Sequence, residues 1–488
     1  MQFNTIGYLA FLAVVVVVLW LLPARIRKGW LLIASYAFYA SWHMKYVLLL
    51  GSVGLIAGFG GRAVLGVEGG ARRRRGIAVI VVLVGILGSF KYADWTITNI
   101  DAVLPLLGET HPIPLLKWVL PLGISFYTFE AISYVIECMR GKEKRHSHGD
   151  FQLFFAFFPH LIAGPVMRTK ELLPQFDSPK WGIKLKYVSD GVWLIASGLF
   201  LKNVLADRLA RYVDDAFARG VDSFSSSDAL FVAVGFGLQI YLDFSAYSRL
   251  AIGSAKFCGI DLVENFNHPF AAKTPGDFWN RWHMSLSRWI RDYLFFPIAG
   301  KRMKLGRMVQ GALISMTICG VWHGAGWNYI VWGFYHGLLL AVYYVGRASL
   351  RSTAADGGPV EEHWIDTRGA ALLSGALTWV GLLPSWLLFR APNLNAAARA
   401  ITAMVTPWRR APRALSVGSY ALVAALMCAV WLAPLVNGWL ERWLASASAR
   451  AESTALRAAA FRGAFTALLL IIALVAYRGN QTFIYFQF

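Results

Sequence analysis

Apolar residues run along this chain in long blocks, without the two-residue alternation of a half-buried strand. The blocks lie near 6–23, 30–50, 76–92, 114–138, 151–167, 190–206, 228–252, 310–346, 369–390, 415–436 and 462–477. A block of about 18 or more apolar residues crosses the ~30 Å hydrocarbon core of a bilayer as a helix. The 310–346 block is long enough for two passes. The pattern predicts an all-α polytopic membrane protein with roughly 11 to 13 membrane-embedded helices. One integral membrane domain is expected over 1–488, with N-terminal helices to 110, a core at 111–350 that holds the polar motifs, and C-terminal helices from 351 onward.

Composition agrees with the blocks. Of 488 residues 57% are hydrophobic and 15% charged, and the mean hydropathy is +0.51. Soluble domains carry about 25% charged residues. The opening "MQFNTIGYLAFLAVVVVVLWLLP" has no basic residues ahead of its apolar run, and "ARIRKG" follows it. It reads as a first span, not a cleaved signal, with residues 24–29 cytoplasmic and the N-terminus outside. Further basic loops at 71–76, 140–149, 301–307 and 408–413 are candidates for the same side.

Polar interruptions carry the chemistry. The main polar connections are 168–188 and 351–368. "FFPHLIAGPVMR" (157–168) holds Pro159 and the pair Gly164–Pro165, and "PLGISFYTFEAISYVIECMRG" (121–141) opens on proline and glycine. Proline ends or kinks a helix, and the freed backbone groups must face protein or water. Such broken helices suit a protein-lined cavity, and ordinary membrane-helix kinks give the same pattern. Residues 261–298 are too polar to span. From Asp277 onward helical periodicity places Trp282, Leu286, Trp289, Tyr293 and Phe296 on one face. Arg281, Ser285, Arg288 and Asp292 fall on a second, and Asn280, His283 and Ser287 on a third. "TPGD" supplies a turn and cap before it. A helix so rich in tryptophan and arginine lies at the interface or re-enters partway; a plain surface helix fits the same periodicity.

"VWHGAGW" (321–327) follows an apolar run from Met308 to Trp322. Those 15 residues cover roughly 22 Å, short of a full crossing. "HGAG" then breaks the helix, and a second apolar run follows from Trp327 to Val345. Counted from the basic 301–307 edge, the break lies at membrane depth, where an ionisable group is a functional candidate. A hairpin turn at the far surface, with His323 merely interfacial, is the alternative. His336 and His160 read as hydrogen-bonded packing histidines. In "LQIYLDFSAYSRLAIG" (238–253), Gln239, Asp243 and Tyr247 share a face. A buried Asp243 needs a partner, and Arg249, about 240° around the wheel, reaches it only through a break or another helix.

The net charge is +20. Topology and attraction to anionic lipid explain most of it, and the scatter over many loops argues against nucleic acid. A narrower reading gives some of the positive charges to an acidic cytoplasmic cofactor such as coenzyme A. The four cysteines, Cys138, Cys258, Cys319 and Cys428, have no metal or disulfide spacing, and no metal is expected.

Six segments together resemble the membrane-bound O-acyltransferase family, most closely its bacterial polysaccharide-acetylating, alginate-type branch. They are 121–137, 157–168, 239–253, "ENFNHPF" (264–270), "DFWNRWHMSLSRWIRDYLFFPIAG" (277–300) and "VWHGAGWNYIVWGFYHG" (321–337), and the terminal "FIYFQF" is also similar. The resemblance implies helices around a tunnel or funnel, with His323 as the catalytic histidine and His283 as the second. Two positions depart from the family pattern: Ala246 stands for a glycine and Arg249 for an aspartate.

The implied chemistry takes acetyl-CoA from the cytoplasm as donor. The acceptor is a hydroxyl of an exported polysaccharide, reached directly or through a periplasmic SGNH-type acetyltransferase or other polysaccharide-modifying partner, in the bacterial inner membrane. A neutral imidazole at His323 accepts the hydroxyl proton. Backbone amides at Gly324–Gly326 or the Asn280 side chain hold the oxyanion, and His283 orients the thioester or shuttles a proton. Arg281, Arg288 and Arg291, with Lys301 and Arg302, are candidates for the phosphates of coenzyme A, against plain interface anchoring. An acetyl-histidine relay is a variant. D-alanyl transfer to teichoic acid and longer-chain acylation of lipid or protein are the rivals within the family. A secondary transporter is the rival outside enzymology; it shares the broken helices, but no internal repeat is visible.

Overall fold

The computed structural model describes residues 1–107, 111–162, 164–353, 368–407, 416–450, 452–477 and 483–484. The basic 408–413 loop and most of the 351–368 connection fall outside the described residues. Every regular element among the described residues is helical. Among the described residues, eight helices are long and apolar enough to cross a membrane, including Lys45–Leu65, Ser226–Phe257 and Trp327–Ser349. Ile6–Leu21 and Leu394–Val405 are apolar but shorter. The chain is an all-α, multi-pass membrane protein.

Several of the apolar blocks are broken within the structure. The 30–50 block is cut at "SWHM", so that one helix runs Ala24–Ala40 and the next starts at Lys45. The 114–138 block becomes helical only at Ile124, after Pro112, Pro114 and Pro121 have removed backbone donors. The 151–167 block splits into His148–Ala156 and Phe158–Leu161 beside Pro159. The basic clusters at 24–29 and 71–76 are not loops: both lie inside the first turns of helices, Ala24–Ala40 and Gly69–Asp101.

The chain divides into two compact units, one of Met1–Gly198 with Tyr247–Val263, the other of Leu199–Ala246 with the residues from Glu264 onward. In the first unit a buried polar knot ties two of the motif segments together. His160 donates from Nε2 to the Phe154 carbonyl at 2.8 Å and holds Nδ1 3.0 Å from Glu130 Oε1. The same carboxylate accepts the Met167 amide at 2.9 Å. His160 is thus the hydrogen-bonded packing residue expected of it.

In the second unit the dominant contact is a helical hairpin, Leu305–His323 against Trp327–Thr353. Its two backbones touch. A Cβ on Gly320 would sit 2.2 Å from the Tyr329 carbonyl oxygen, and one on Gly333 would sit 2.3 Å from that of Met316. Gly337 repeats the close approach one turn later, 2.8 Å from Leu313 Cα. Small residues permit this approach where lipid supplies no hydrophobic force between helices. Ala312, Ser315, Met316, Cys319, Gly320 and His323 form a buried stripe along this helix.

Gly333→Ala must push the helices apart, because its Cβ meets backbone that cannot rotate away. It is expected to cost about 1–3 kcal/mol, read as a lower unfolding temperature in detergent. Gly346→Ala on the same helix meets nothing within 4 Å and is expected to leave that temperature unchanged or raise it.

Candidate active site

His323 is the last residue of its helix, because Gly324 leaves helical geometry at φ −162°. The partner helix starts at Trp327, so the "HGAG" break lies where the sequence places it. The first helix has 19 residues, about 28 Å at 1.5 Å per residue. It is longer than the 15-residue apolar run because it starts at Leu305, so the length argument for membrane depth loses its force. What isolates His323 is protein: the residue is 6% exposed. Its ring centroid lies 4.7 Å from Trp322, 4.9 Å from Trp332 and 5.1 Å from Phe389.

Phe389 is held in place by the start of the partner helix. Asn328 Nδ2 donates to the carbonyls of Leu388 at 3.2 Å and Ala391 at 3.1 Å. One side-chain amide thereby closes the end of the Arg368–Arg390 helix over His323. Beyond Trp332 the ring chain continues to His336 at 4.6 Å, and from there to Trp279 at 5.2 Å. His336 is buried as expected, but its Nε2 has no hydrogen-bond partner among the described residues.

The 277–298 segment is not the continuous helix its periodicity suggests. It runs Pro275–Arg281, breaks at Trp282 and His283, and resumes as Met284–Ile290. Thr274 caps the first piece by accepting from the Asp277 amide at 3.0 Å. His283 occupies the left-handed region at φ 41°, ψ 54°, unfavourable for a side chain with a Cβ and tolerated where surrounding bonds impose it. Those bonds come from "ENFNHPF". Asn265 accepts the Met284 amide at its carbonyl, 2.8 Å, and the Ser285 hydroxyl at its side chain, 2.6 Å. Asn267 N donates to the Arg281 carbonyl at 3.0 Å. His283 is 1% exposed and meets Phe244 edge-to-face at 4.6 Å. Burial pushes its imidazole down to about 3, so the ring is neutral at physiological pH. The apolar face is otherwise as expected: Trp282, Leu286, Trp289 and Tyr293 are buried, and Phe296 is the exception at 43% exposed.

The remaining candidates lie closer to the protein surface. Asn280 is exposed. Arg281 is half-buried and tied to Asp277 Oδ1 at 2.7 Å and to the Asn267 carbonyl at 3.3 Å. Arg291 is exposed, 3.0 Å from Asp292 and 5.8 Å over the Phe296 ring. Arg288 is half-buried, and Lys301 and Arg302 are exposed.

Asp243 does have a buried partner, one that sequence reasoning missed. Lys202 is 2% exposed, with Nζ 2.8 Å from both Asp243 Oδ1 and Asp207 Oδ1. It sits in a π-helical turn, Leu201–Ala206, which re-aims side chains within a long helix. The other Asp243 oxygen accepts the Ile484 amide at 2.7 Å. Phe483 beside it packs on Phe244 at 5.7 Å, the ring that faces His283. Arg249 is engaged elsewhere, donating to Ser197 Oγ at 3.0 Å.

A many-helix membrane protein with a buried histidine at the end of one helix, and a second, strained histidine at the break between two short helices, has the form of a membrane acyltransferase. The family model of the membrane-bound O-acyltransferases matches residues 106–353, and the chain belongs to that family. It is 36% identical to the protein named "Probable alginate O-acetylase AlgI" of Pseudomonas aeruginosa, over 81% of this chain and 72% of that one. It is 33% identical to the peptidoglycan O-acetyltransferase of Helicobacter pylori, over 78% of this chain and 73% of the relative. The teichoic acid D-alanyltransferase of Bacillus subtilis is 32% identical over 46% of this chain and 58% of its own. The protein is an acyltransferase.

Lys202→Met leaves two carboxylates facing each other without their cation. It is expected to cost about 3–5 kcal/mol, measured as lost folded yield and a lower unfolding temperature. Arg291→Ala, at a pair that is half exposed, is expected to cost about 0–1 kcal/mol.

Proposed function

We propose that this acyltransferase moves an acetyl group from acetyl-CoA, presented at the cytoplasmic face of the inner membrane, to hydroxyls of an exported polysaccharide. Delivery is direct or through a periplasmic partner of the SGNH acetyltransferase type. The observation that carries the reading is the placement of His323, buried among Trp322, Trp332 and Phe389 at the end of a helix. Similarity to O-acetyltransferases over about four fifths of the chain favours acetyl over D-alanyl. The D-alanyltransferase similarity is confined to less than half of it.

In this reading the acceptor hydroxyl approaches the imidazole. Its oxygen attacks the thioester carbonyl carbon while His323 takes the proton, forming a tetrahedral oxyanion. Collapse breaks the carbon–sulfur bond. The proton on His323 neutralises the leaving thiolate, and the acyl group stays on the acceptor as an ester. The surrounding rings exclude the water that would hydrolyse the thioester. His283, neutral and locked by Asn265, orients groups at the second break. Arg281, Arg288 and Arg291 guide the phosphates of the donor from the exposed margin.

Purified protein in lipid nanodiscs, given radiolabelled acetyl-CoA and extracted polysaccharide, tests the reading. His323→Ala is expected to lower acetyl transfer about a hundredfold to ten-thousandfold while coenzyme A binding persists. Full transfer by that variant, or turnover only with a D-alanyl carrier protein, would contradict it.

A further inference from the structure

Two buried polar atoms in the ring cluster of His323, Trp332 Nε1 and His336 Nε2, have no hydrogen-bond partner among the described residues. Their residues are 4% and 1% exposed. They stand four residues apart on the Trp327–Thr353 helix, on one face. Trp332 lies between the two imidazoles, 4.9 Å from His323 and 4.6 Å from His336 by ring centroids. Trp279 and Phe389 close the group at 6.1 Å and 5.2 Å from Trp332.

A buried donor left without an acceptor is destabilising, and a ring face is a weak substitute. Two such atoms on adjacent turns of one helix, in one ring cluster with His323, point to a group that arrives there. The chemistry of the atoms narrows what it is. An indole N–H only donates, and an imidazole Nε2 carrying its proton donates as well. The pair therefore suits one acceptor with two lone pairs. An attacking alcohol needs an acceptor for its proton, and His323 supplies that. A phosphate calls for cationic partners, and the rings around Trp332 are aromatic. The matching group is the carbonyl oxygen of an acyl thioester.

We propose that Trp332 Nε1–H and His336 Nε2–H are the two donors that receive the acyl carbonyl oxygen beside His323. The inference rests on the reading of His323 as general base. As the alcohol oxygen bonds to the carbonyl carbon, the C=O π pair moves onto oxygen, and the two N–H groups hold the resulting negative charge. When that pair returns to carbon, the thiolate leaves and takes the proton from His323. The cluster thus divides the work, with one imidazole for the proton and the indole and second imidazole for the oxyanion.

The test compares Trp332→Phe, His336→Leu, His336→Gln and His323→Ala in nanodiscs, reading kcat and KM for acetyl-CoA at saturating acceptor, with unfolding temperature alongside. Trp332→Phe and His336→Leu are expected to lower kcat about tenfold to a thousandfold with KM within about threefold, since the donors act on the transition state. His336→Gln, which keeps a donor near the same place, is expected to recover most of the kcat lost in His336→Leu. Wild-type kcat in Trp332→Phe and His336→Leu with an inactive His323→Ala overturns the carbonyl site and leaves the base standing. Loss of kcat that tracks unfolding temperature, with glutamine no better than leucine, assigns these residues to packing and also overturns it. Normal turnover by His323→Ala overturns the base and this inference together.

Discussion

The contact between Gly320 and Gly333 is the constraint on which the site depends. Two helix backbones meet there with no room for a Cβ on either side. That approach sets the register of the hairpin, and the register decides which rings surround the last residue of the first helix. One turn of slip would carry Trp332 away from His323 and leave Asn328 without the carbonyls of Leu388 and Ala391. Glycine therefore serves here as a spacer of near-zero thickness, and the ring cluster around His323 is a consequence of how thin it is.

A second constraint is the satisfaction of polar groups away from water. Several polar residues of the interior are tied to specific partners: Glu130 to His160 and Met167, Asp243 to Lys202 and Ile484, Asn265 to Met284 and Ser285. These ties hold irregular backbone where a helix would otherwise continue. The left-handed His283 is the strongest instance, since its conformation would relax if Asn265 released the following amide.

Much of this was legible in the residues. The helical class followed from the apolar blocks, and the break after His323 from "HGAG". The buried face Trp282, Leu286, Trp289 and Tyr293 followed from helical periodicity. What was not legible depended on pairing across distance. Lys202 sits in an apolar helix forty-one positions before Asp243, and no local pattern marks it as that carboxylate's cation. Phe389 and Trp332 look like ordinary membrane-helix aromatics until the hairpin and Asn328 bring them to His323. The break at His283 was hidden because its periodicity matches one helix; the nearby "ENFNHPF", polar and short of any helical period, was the available signal. The basic clusters that read as loops are helix starts because arginine is a good helix former and the charge rule speaks only to sidedness.

The central claim is that the ring cluster at the hairpin's end is where an acyl thioester reacts. A structure of the protein bound to a coenzyme A thioether or other non-transferable acyl analogue tests it most directly. The carbonyl-equivalent atom is expected among His323, Trp332 and His336, within hydrogen-bond reach of the latter two. An analogue held elsewhere in the fold, with those three side chains packed as they are without it, would contradict the account.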